Sequence, residues 1–322
     1  LISAFWMLSG MGKASRVARI ALRAQALKRS KDHRALVLIG EIEGGDHLLR
    51  QEMKEAVEDN FGLFSFEQDV QVDLFPIRLK TLAPRAHPES RRRVAVEAAD
   101  ALERSAADVI IWGKRSWGRL DLRITTLPGY GRVHEVQDMQ LGWRTGRPDE
   151  LVQRALAFVL ARKARPVLHR PQDYKPERLQ PIVEALDQMV EAKSAEVSEG
   201  LQLDILSDFA SGALSLGERG GHIKWLSKSL DARQRYLDRV DRTTDPAAWG
   251  AAQQEIGRAL TALGEREGAR DKLEEGASRL RLAMDALRST DSLQQAEVAL
   301  RALQRAENTL QQRRRVGLRW PG

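Results

Sequence analysis

The residues best suited to chemistry are scattered along this chain rather than grouped. No serine lies in the G-x-S-x-G turn of a hydrolase nucleophile, and the absence of cysteine excludes thiol nucleophiles and thiolate metal ligands. The six histidines are far apart, and none has the H-E-x-x-H spacing of two metal ligands on one helix face: His33, His47, His87, His134, His169 and His222. We therefore assign no catalytic residue, metal ligand or cofactor, and we expect the protein not to be an enzyme.

One acidic segment has the position of a ligand loop. Residues 40–46, Gly-Glu-Ile-Glu-Gly-Gly-Asp, follow a predicted strand and precede a predicted helix, where phosphate loops occur. The segment lacks the Lys-Ser/Thr of such loops, and its three carboxylates would repel a phosphate, so a tight turn is the preferred interpretation. The alternative is a small-molecule site at the strand ends, and its candidate ligand-binding residues are Glu41, Glu43, Asp46 and Trp117.

The positive charge is confined to one segment. The chain has 52 Lys and Arg against 45 Asp and Glu, and residues 13–34, with eight bases and one acid, account for the whole excess of +7. A protein that follows a phosphate backbone usually spreads its basic residues over a binding face. We therefore expect no nucleic-acid partner.

The residues before this basic segment suggest a membrane. Residues 1–12 are apolar and uncharged but shorter than the roughly 20 apolar residues of a membrane span. Residues 1–34 are interpreted as the end of a span plus a basic amphipathic helix, with basic residues on the cytoplasmic side. This interpretation predicts a cytoplasmic protein tethered to the inner face of the membrane. The alternative is a soluble helix with a solvated basic face.

The pattern predicts a small α/β domain over residues 35–165. Short apolar or alternating runs indicate strands, and amphipathic runs between them indicate helices. The predicted strands are 35–42, 70–79, 107–113, 120–124 and 133–141, and the predicted helices are 46–59, 88–105 and 148–164.

A helical region is predicted after a linker. Residues 166–176 contain Pro166, Pro171 and Pro176 and form the predicted domain boundary. Asp245 followed by Pro246 is a helix N-cap with proline at the first helical position. Residues 177–322 are predicted to form six helices: 178–193, 196–216, 223–240, 246–263, 269–287 and 292–314.

A repeated phrase organises this helical region. Leu-Gly-Glu-Arg occurs at residues 216–219 and again at 263–266, 47 residues later, as in stacked helical repeats. We expect Gly217 and Gly264 to end the first helix of each hairpin with a positive φ. The polar residues on the inner helices face either a peptide groove or solvent, and the candidate partner-binding residues are Gln253, Gln254 and Arg258.

The second copy resembles a tetratricopeptide repeat. Pro246 to Arg266 is similar to the bacterial subtype P-x-x-W-A-x-x-Q-x-x-L-G-x-A-L-x-x-L-G-E-R, and Leu273-Glu274-Glu275 follows as in that subtype. The resemblance covers mainly residues 199–312. The first copy lacks the P-x-x-W start, and the last has no closing Leu-Gly-Glu-Arg and looks like a capping helix. The resemblance implies helical hairpins that bind a protein or peptide.

The first half resembles another bacterial domain more loosely. Residues 107–113, Ala-Asp-Val-Ile-Ile-Trp-Gly, are similar to a strand of the TolB amino-terminal and CsgG-like α/β domains. Such domains often precede helical repeats in signalling proteins, and a transmembrane helix often precedes them. The resemblance implies a signalling or assembly module and brings no catalytic motif.

Together these features predict an α/β domain followed by antiparallel helical-hairpin repeats. The expected function is a non-enzymatic protein–protein interaction scaffold or signalling adaptor. The alternative is a sensor whose α/β domain binds a small molecule and signals through the repeats. The partner is expected to be a protein or peptide, and a homo-oligomer is an open alternative.

Overall fold

The computed structural model divides the chain into two compact units. The first comprises Leu1–Val167 and Ala192–Leu201, and the second comprises Leu168–Glu191 and Gln202–Gly322. The structure describes residues 17–30, 34–65, 69–83, 86–127, 136–144, 146, 148–164, 171–192 and 194–317. The apolar residues 1–12 and the first five residues of the predicted linker, 166–170, lie outside these ranges.

A mixed five-stranded sheet forms the centre of the first unit. The strands are β1 (Ala35–Glu43), β2 (Val70–Leu74), β3 (Val109–Ser116), β4 (Arg119–Thr126) and β5 (Gln137–Gly142). Their order is β2-β1-β3-β4-β5; β1 is parallel to β2 and β3, while β4 is antiparallel to both of its neighbours. The predicted α/β class is confirmed. The first part of the predicted fifth strand, residues 133–135, lies outside the described ranges.

Helices cover both faces of the sheet. They are α1 (17–30), α2 (His47–Asn60), α3 (Pro88–Ser105) and α4 (Glu150–Ala164). Ala24 of α1 and Leu102 of α3 share one core cluster with Leu38 and Trp112. Side chains alternate across a strand, so Ile39, also fully buried, points to the other face. There α2 and α4 pack against each other and the strands.

The described part of the second unit is helical. Its helices are α5 (Pro176–Ala192), α6 (Glu199–Gly220), α7 (Ile223–Leu237), α8 (Pro246–Glu267), α9 (Arg270–Ser289) and α10 (Leu293–Gly317), and the first three residues of α6 group with the first unit. Asp245 caps α8 by accepting a hydrogen bond from the Ala248 amide at 2.9 Å, with Pro246 at the first helical position, as predicted. The coarse fold class, α/β plus helical, is therefore present.

Neighbouring helices from α6 to α10 run antiparallel. On α6 and α7, the Ser229 hydroxyl donates to the Ala210 carbonyl, and Gly217 lies against Leu226. On α8 and α9, Gly250 lies against Leu287 while Gly264 lies against Leu273. In both pairs, contacts at higher residue numbers in the first helix are made with lower residue numbers in the second, as in antiparallel helices.

The prediction for Gly217 and Gly264 was wrong. Both lie inside helices, and the positive φ values belong to Gly221 (76°) and Gly268 (75°) beyond the helix ends. A Cβ atom on Gly217 would lie 2.5 Å from Leu226 Cδ2, and one on Gly264 would lie 2.8 Å from Leu273 Cγ. These two glycines serve close helix packing, and the glycine four residues later makes the turn.

Candidate functional site

The second unit contains an open groove between alternate helices. Its volume is about 750 Å³. The described residues that line it come from the segment before α5 and from three helices that alternate along the chain: Pro171; Ser211, Leu214, Ser215, Glu218 and Arg219 of α6; Gln254, Glu255, Arg258, Thr261 and Ala262 of α8; and Gln295, Val298, Arg301, Ala302 and Arg305 of α10. We call this feature the α6–α8–α10 groove. Helices α7 and α9 contribute no residue to it.

Two equivalent ion pairs join the helices of the groove. Arg258 of α8 donates two hydrogen bonds to the carboxylate of Glu218 on α6, with Nε at 3.1 Å from Oε1. Arg305 of α10 donates in the same way to Glu265 of α8, with Nε at 2.9 Å from Oε1. In both pairs the arginine follows its glutamate by 40 residues, and the pairs are 47 residues apart. The Glu of each Leu-Gly-Glu-Arg phrase therefore binds the next alternate helix.

The carboxylates keep these arginines charged. For Arg258, burial acts to lower the pKa, but the charge and hydrogen bond of Glu218 outweigh it and raise the pKa. For Arg305 the hydrogen bond to Glu265 raises the pKa. Both guanidinium groups thus remain cationic along the groove at any physiological pH.

Arginines 47 residues apart also bind helix ends. Arg266 donates to the Gly217 carbonyl at 2.8 Å and to the Glu218 carbonyl at 3.0 Å. Arg313 donates to the Glu265 carbonyl at 3.0 Å. Cations satisfy carbonyls that the last turn of a helix leaves unpaired and complement the negative end of its dipole. Arg266 therefore contacts the preceding copy of the phrase, whereas Glu265 contacts a helix that follows it in the chain.

A buried network fixes the distance between α6 and α8. Arg233 of α7, 5% exposed, donates to Glu255 Oε2 at 2.6 Å and to the Ser211 hydroxyl at 2.6 Å. It also donates to the hydroxyl and the carbonyl of Ser207. A guanidinium with four acceptors on two helices leaves little freedom for either. The network therefore ties α6 to α8 through Arg233 of α7.

One residue that lines the groove, Ser215, has a buried hydroxyl with no hydrogen-bond partner among the described residues. The Ser215 hydroxyl is buried, with a residue exposure of 4%, and makes no hydrogen bond. Such a group costs about 1–3 kcal/mol if it stays unsatisfied.

Only two of the three predicted partner-binding residues lie at the groove. Gln254 and Arg258 line the groove. Gln253 is 3% exposed and faces α9, where its side-chain oxygen accepts a hydrogen bond from Arg279 at 3.3 Å. Glu218, Arg305 and Ser215 were missed. The 47-residue spacing of the arginines is a signal that points to Arg305, whereas nothing in the sequence marks Ser215.

The predicted ligand region of the first unit does not form one cavity. Asp46 caps α2 by accepting a hydrogen bond from the Leu49 amide at 2.9 Å. Trp117, in the turn after β3, borders a cavity of about 300 Å³ lined by residues of β5 and of 195–198. Glu41, Glu43 and Asp46 do not line that cavity. In the described ranges no three His, Asp or Glu side chains gather as a metal site.

No helix in the described ranges is both long and apolar enough to cross a bilayer. Comparisons with protein-family models, with curated proteins and with solved structures gave no match for this chain.

Proposed function

We propose that the second unit is a tetratricopeptide-like helical array that binds a protein partner through an extended peptide segment in the α6–α8–α10 groove. The chain then acts as a non-enzymatic scaffold or signalling adaptor. The observation that carries the proposal is the groove itself, which is lined, apart from Pro171, by the first helix of each proposed hairpin, α6 and α8, and by the closing helix α10. Binding surfaces of stacked helical repeats are extended and concave in this way.

The sequence period and the contacts support the array. Ion pairs, helix-end contacts and packed glycines all recur at 47 residues. In the proposed assignment α6 and α7 form one hairpin, α8 and α9 form the next, and α10 closes the array. Leu179 of α5 precedes Leu226 by 47 residues, and both are fully buried, so α5 corresponds to the second helix of a preceding hairpin.

The lining of the groove suits a peptide. Val298 offers an apolar contact with 39% of its surface exposed, Leu214 and Ala262 line the groove but are almost fully buried, and polar groups lie between these residues. Binding energy at such surfaces comes from a few anchors in a preformed wall. The Arg233 network holds the wall before any partner arrives, so little ordering entropy opposes binding.

The proposal is tested by selection of peptides from a random display library on the full chain. Val298, 39% exposed on α10, is changed to Glu in the groove, and Leu282, 38% exposed on α9, is changed to Glu as the matched control. We expect selected peptides to bind Val298→Glu at least roughly tenfold more weakly and to bind Leu282→Glu unchanged. Selected peptides that bind both variants like the wild type would overturn the groove as the site, and so would the failure to select any peptide.

The sensor alternative has weaker support. It requires a convergent pocket at the strand ends, but the Trp117 ring is fully exposed and the acidic residues of 41–46 lie outside the cavity that it borders. We therefore place the interaction function first.

A further inference from the structure

Trp117 occupies an unusual position at the tip of the β3–β4 hairpin. Trp117 and Gly118 form the two-residue turn, with φ values of 49° and 76°. Turns with two positive φ values favour Asn-Gly, because a large side chain resists the left-handed conformation. The Trp117 side chain is also fully exposed, at 105% of its reference area. Neither turn chemistry nor packing in this unit accounts for a tryptophan here.

Basic side chains surround this tip. Arg115 and Arg119 flank the turn on the two strands, and Arg119 is exposed. Arg144, with a side chain 82% exposed, borders the same cavity as Trp117 and Arg119. Glu196 is the acid of that cavity, and it lies 3.5 Å from Arg144. The tip therefore presents an aromatic ring among three arginines, with Glu196 in the same cavity and the exposed Glu43 on the neighbouring strand, in register with Lys114.

The tip shares an edge of the sheet with the start of the described chain. Strands β1, β2 and β3 are parallel, so their carboxyl ends meet at one edge, where the turn at Trp117 also lies. Helix α1 bonds to this edge through Arg23, which donates to Asp73 near the end of β2. Arg19, one turn earlier, lines a cavity together with Leu74, the last residue of β2, and Pro76.

An exposed tryptophan and an exposed arginine, Trp117 and Arg119, are therefore found at one edge of the sheet. Tryptophan prefers the headgroup level of a bilayer, and arginine side chains gain from anionic headgroups.

We propose that the β3–β4 tip is a membrane-contacting surface: Trp117 inserts at the headgroup level of an anionic bilayer, and Arg115, Arg119 and Arg144 contact the lipid phosphates. This surface is separate from the α6–α8–α10 groove and does not depend on the function proposed for it. The bilayer accounts for both the exposed ring and its basic surroundings. A second copy of the chain would present the same arginines to one another and is disfavoured by their repulsion.

The test uses the full chain with vesicles of phosphatidylcholine alone or mixed with phosphatidylglycerol. Trp117→Asn introduces the residue that the turn prefers, so the fold is retained while the ring is lost. Val96→Gln, at a site 50% exposed on α3, is the control. We expect co-sedimentation with the mixed vesicles to fall roughly tenfold for Trp117→Asn and to stay unchanged for Val96→Gln. Arg119→Gln should reduce it roughly threefold to fivefold, on anionic vesicles only.

Tryptophan quenching locates the contact. With brominated lipids we expect the quenched signal of the wild type to exceed that of Trp117→Asn, and the difference is the emission of Trp117. Equal partitioning of wild type and Trp117→Asn would overturn the proposal, as would equal binding to neutral and anionic vesicles. Loss of self-association in Trp117→Asn by analytical ultracentrifugation, with no effect on vesicle binding, would assign the tip to a second copy and would also overturn it.

Discussion

Glu218 on α6 and Arg258 on α8 form a two-bonded ion pair that recurs 47 residues later as Glu265 and Arg305. The pair joins helices that are not neighbours in the chain. It lies at the groove, with side chains 28% exposed for Arg258 and 21% for Glu218. Removal of one partner should therefore cost more than at a surface pair and less than at a fully buried one.

Glu218→Gln should destabilise the second unit by about 1–2 kcal/mol, because Arg258 keeps its charge in a partly desolvated place without a carboxylate. The measurement is the free energy of unfolding in urea, in a double-mutant cycle with Arg258→Gln. Arg270 and Glu274, an exposed pair on α9, provide the control, and Glu274→Gln should cost less than about 0.5 kcal/mol. A coupling energy near zero between Glu218 and Arg258 would refute a stabilising role.

Gly217→Ala should destabilise the protein by about 1–3 kcal/mol although alanine is the better helix former. The new methyl would lie 2.5 Å from Leu226 Cδ2 and 3.0 Å from the Leu226 amide nitrogen, and the backbone atom cannot yield cheaply. Gly200→Ala, where the new methyl meets open space in the same helix, should be neutral or stabilising. Thermal unfolding of both variants checks this, and equal melting temperatures would show that α6 and α7 can separate without cost.

Arg23→Gln should loosen α1 from the sheet. Asp73 is 5% exposed and accepts hydrogen bonds from Arg23. Removal of the Arg23 guanidinium therefore leaves the buried Asp73 carboxylate with less positive charge and fewer hydrogen bonds to offset its desolvation. We expect a loss of about 1–2 kcal/mol, moderated because the Arg23 side chain is 53% exposed. Hydrogen exchange should become faster in residues 17–30 and stay unchanged in α9. Unchanged protection of α1 would mean that its apolar contacts alone hold it.

Asp241 should titrate at low pH. The Thr243 hydroxyl and amide hydrogen bonds lower the pKa of its carboxyl below the usual 3.8. Because the folded pKa lies below the unfolded one, the stability from this group is complete above pH 3.8 and is lost as pH falls through the folded pKa. Carbon-13 NMR should give a midpoint below 3.8, and Thr243→Val should move it upward. An identical midpoint in the two proteins would exclude the hydroxyl as the cause.

The elements of the α/β unit follow from local patterns. Residues 35–40 are a continuous apolar run and begin β1, and Asp245 before Pro246 begins α8 as a local capping rule requires. Both signals depend on residues adjacent in the chain. Such signals can be recognised in the sequence without knowledge of the tertiary structure.

The helix-packing glycines did not follow from local patterns. A glycine near a helix end indicates a left-handed cap, but Gly217 and Gly264 are needed because Leu226 and Leu273 pack against their backbones. That reason lies in another helix. The pairing of Glu218 with Arg258, 40 residues away, could not be predicted from local sequence for the same reason, because the partner lies in another helix. Trp117 was selected as a ligand residue, yet its left-handed backbone and exposed ring depend on the register of two strands.

The Glu of the phrase binds a later helix and the Arg binds an earlier one, so each period of 47 residues carries the groups that join it to both neighbours. In a segment of that length, Arg258 binds the Glu218 carboxylate and Arg266 binds the Gly217 carbonyl of the previous segment. Glu265 of the same segment binds Arg305 of the next one. Tandem duplication of the segment would leave no charge unpaired at either new boundary. At the equivalent place in α10 stand Gln311 and Gln312 instead of Gly-Glu. An added copy after α10 would therefore meet an amide instead of a carboxylate, whereas a copy inserted between α7 and α10 would fit, so the array can lengthen by internal duplication.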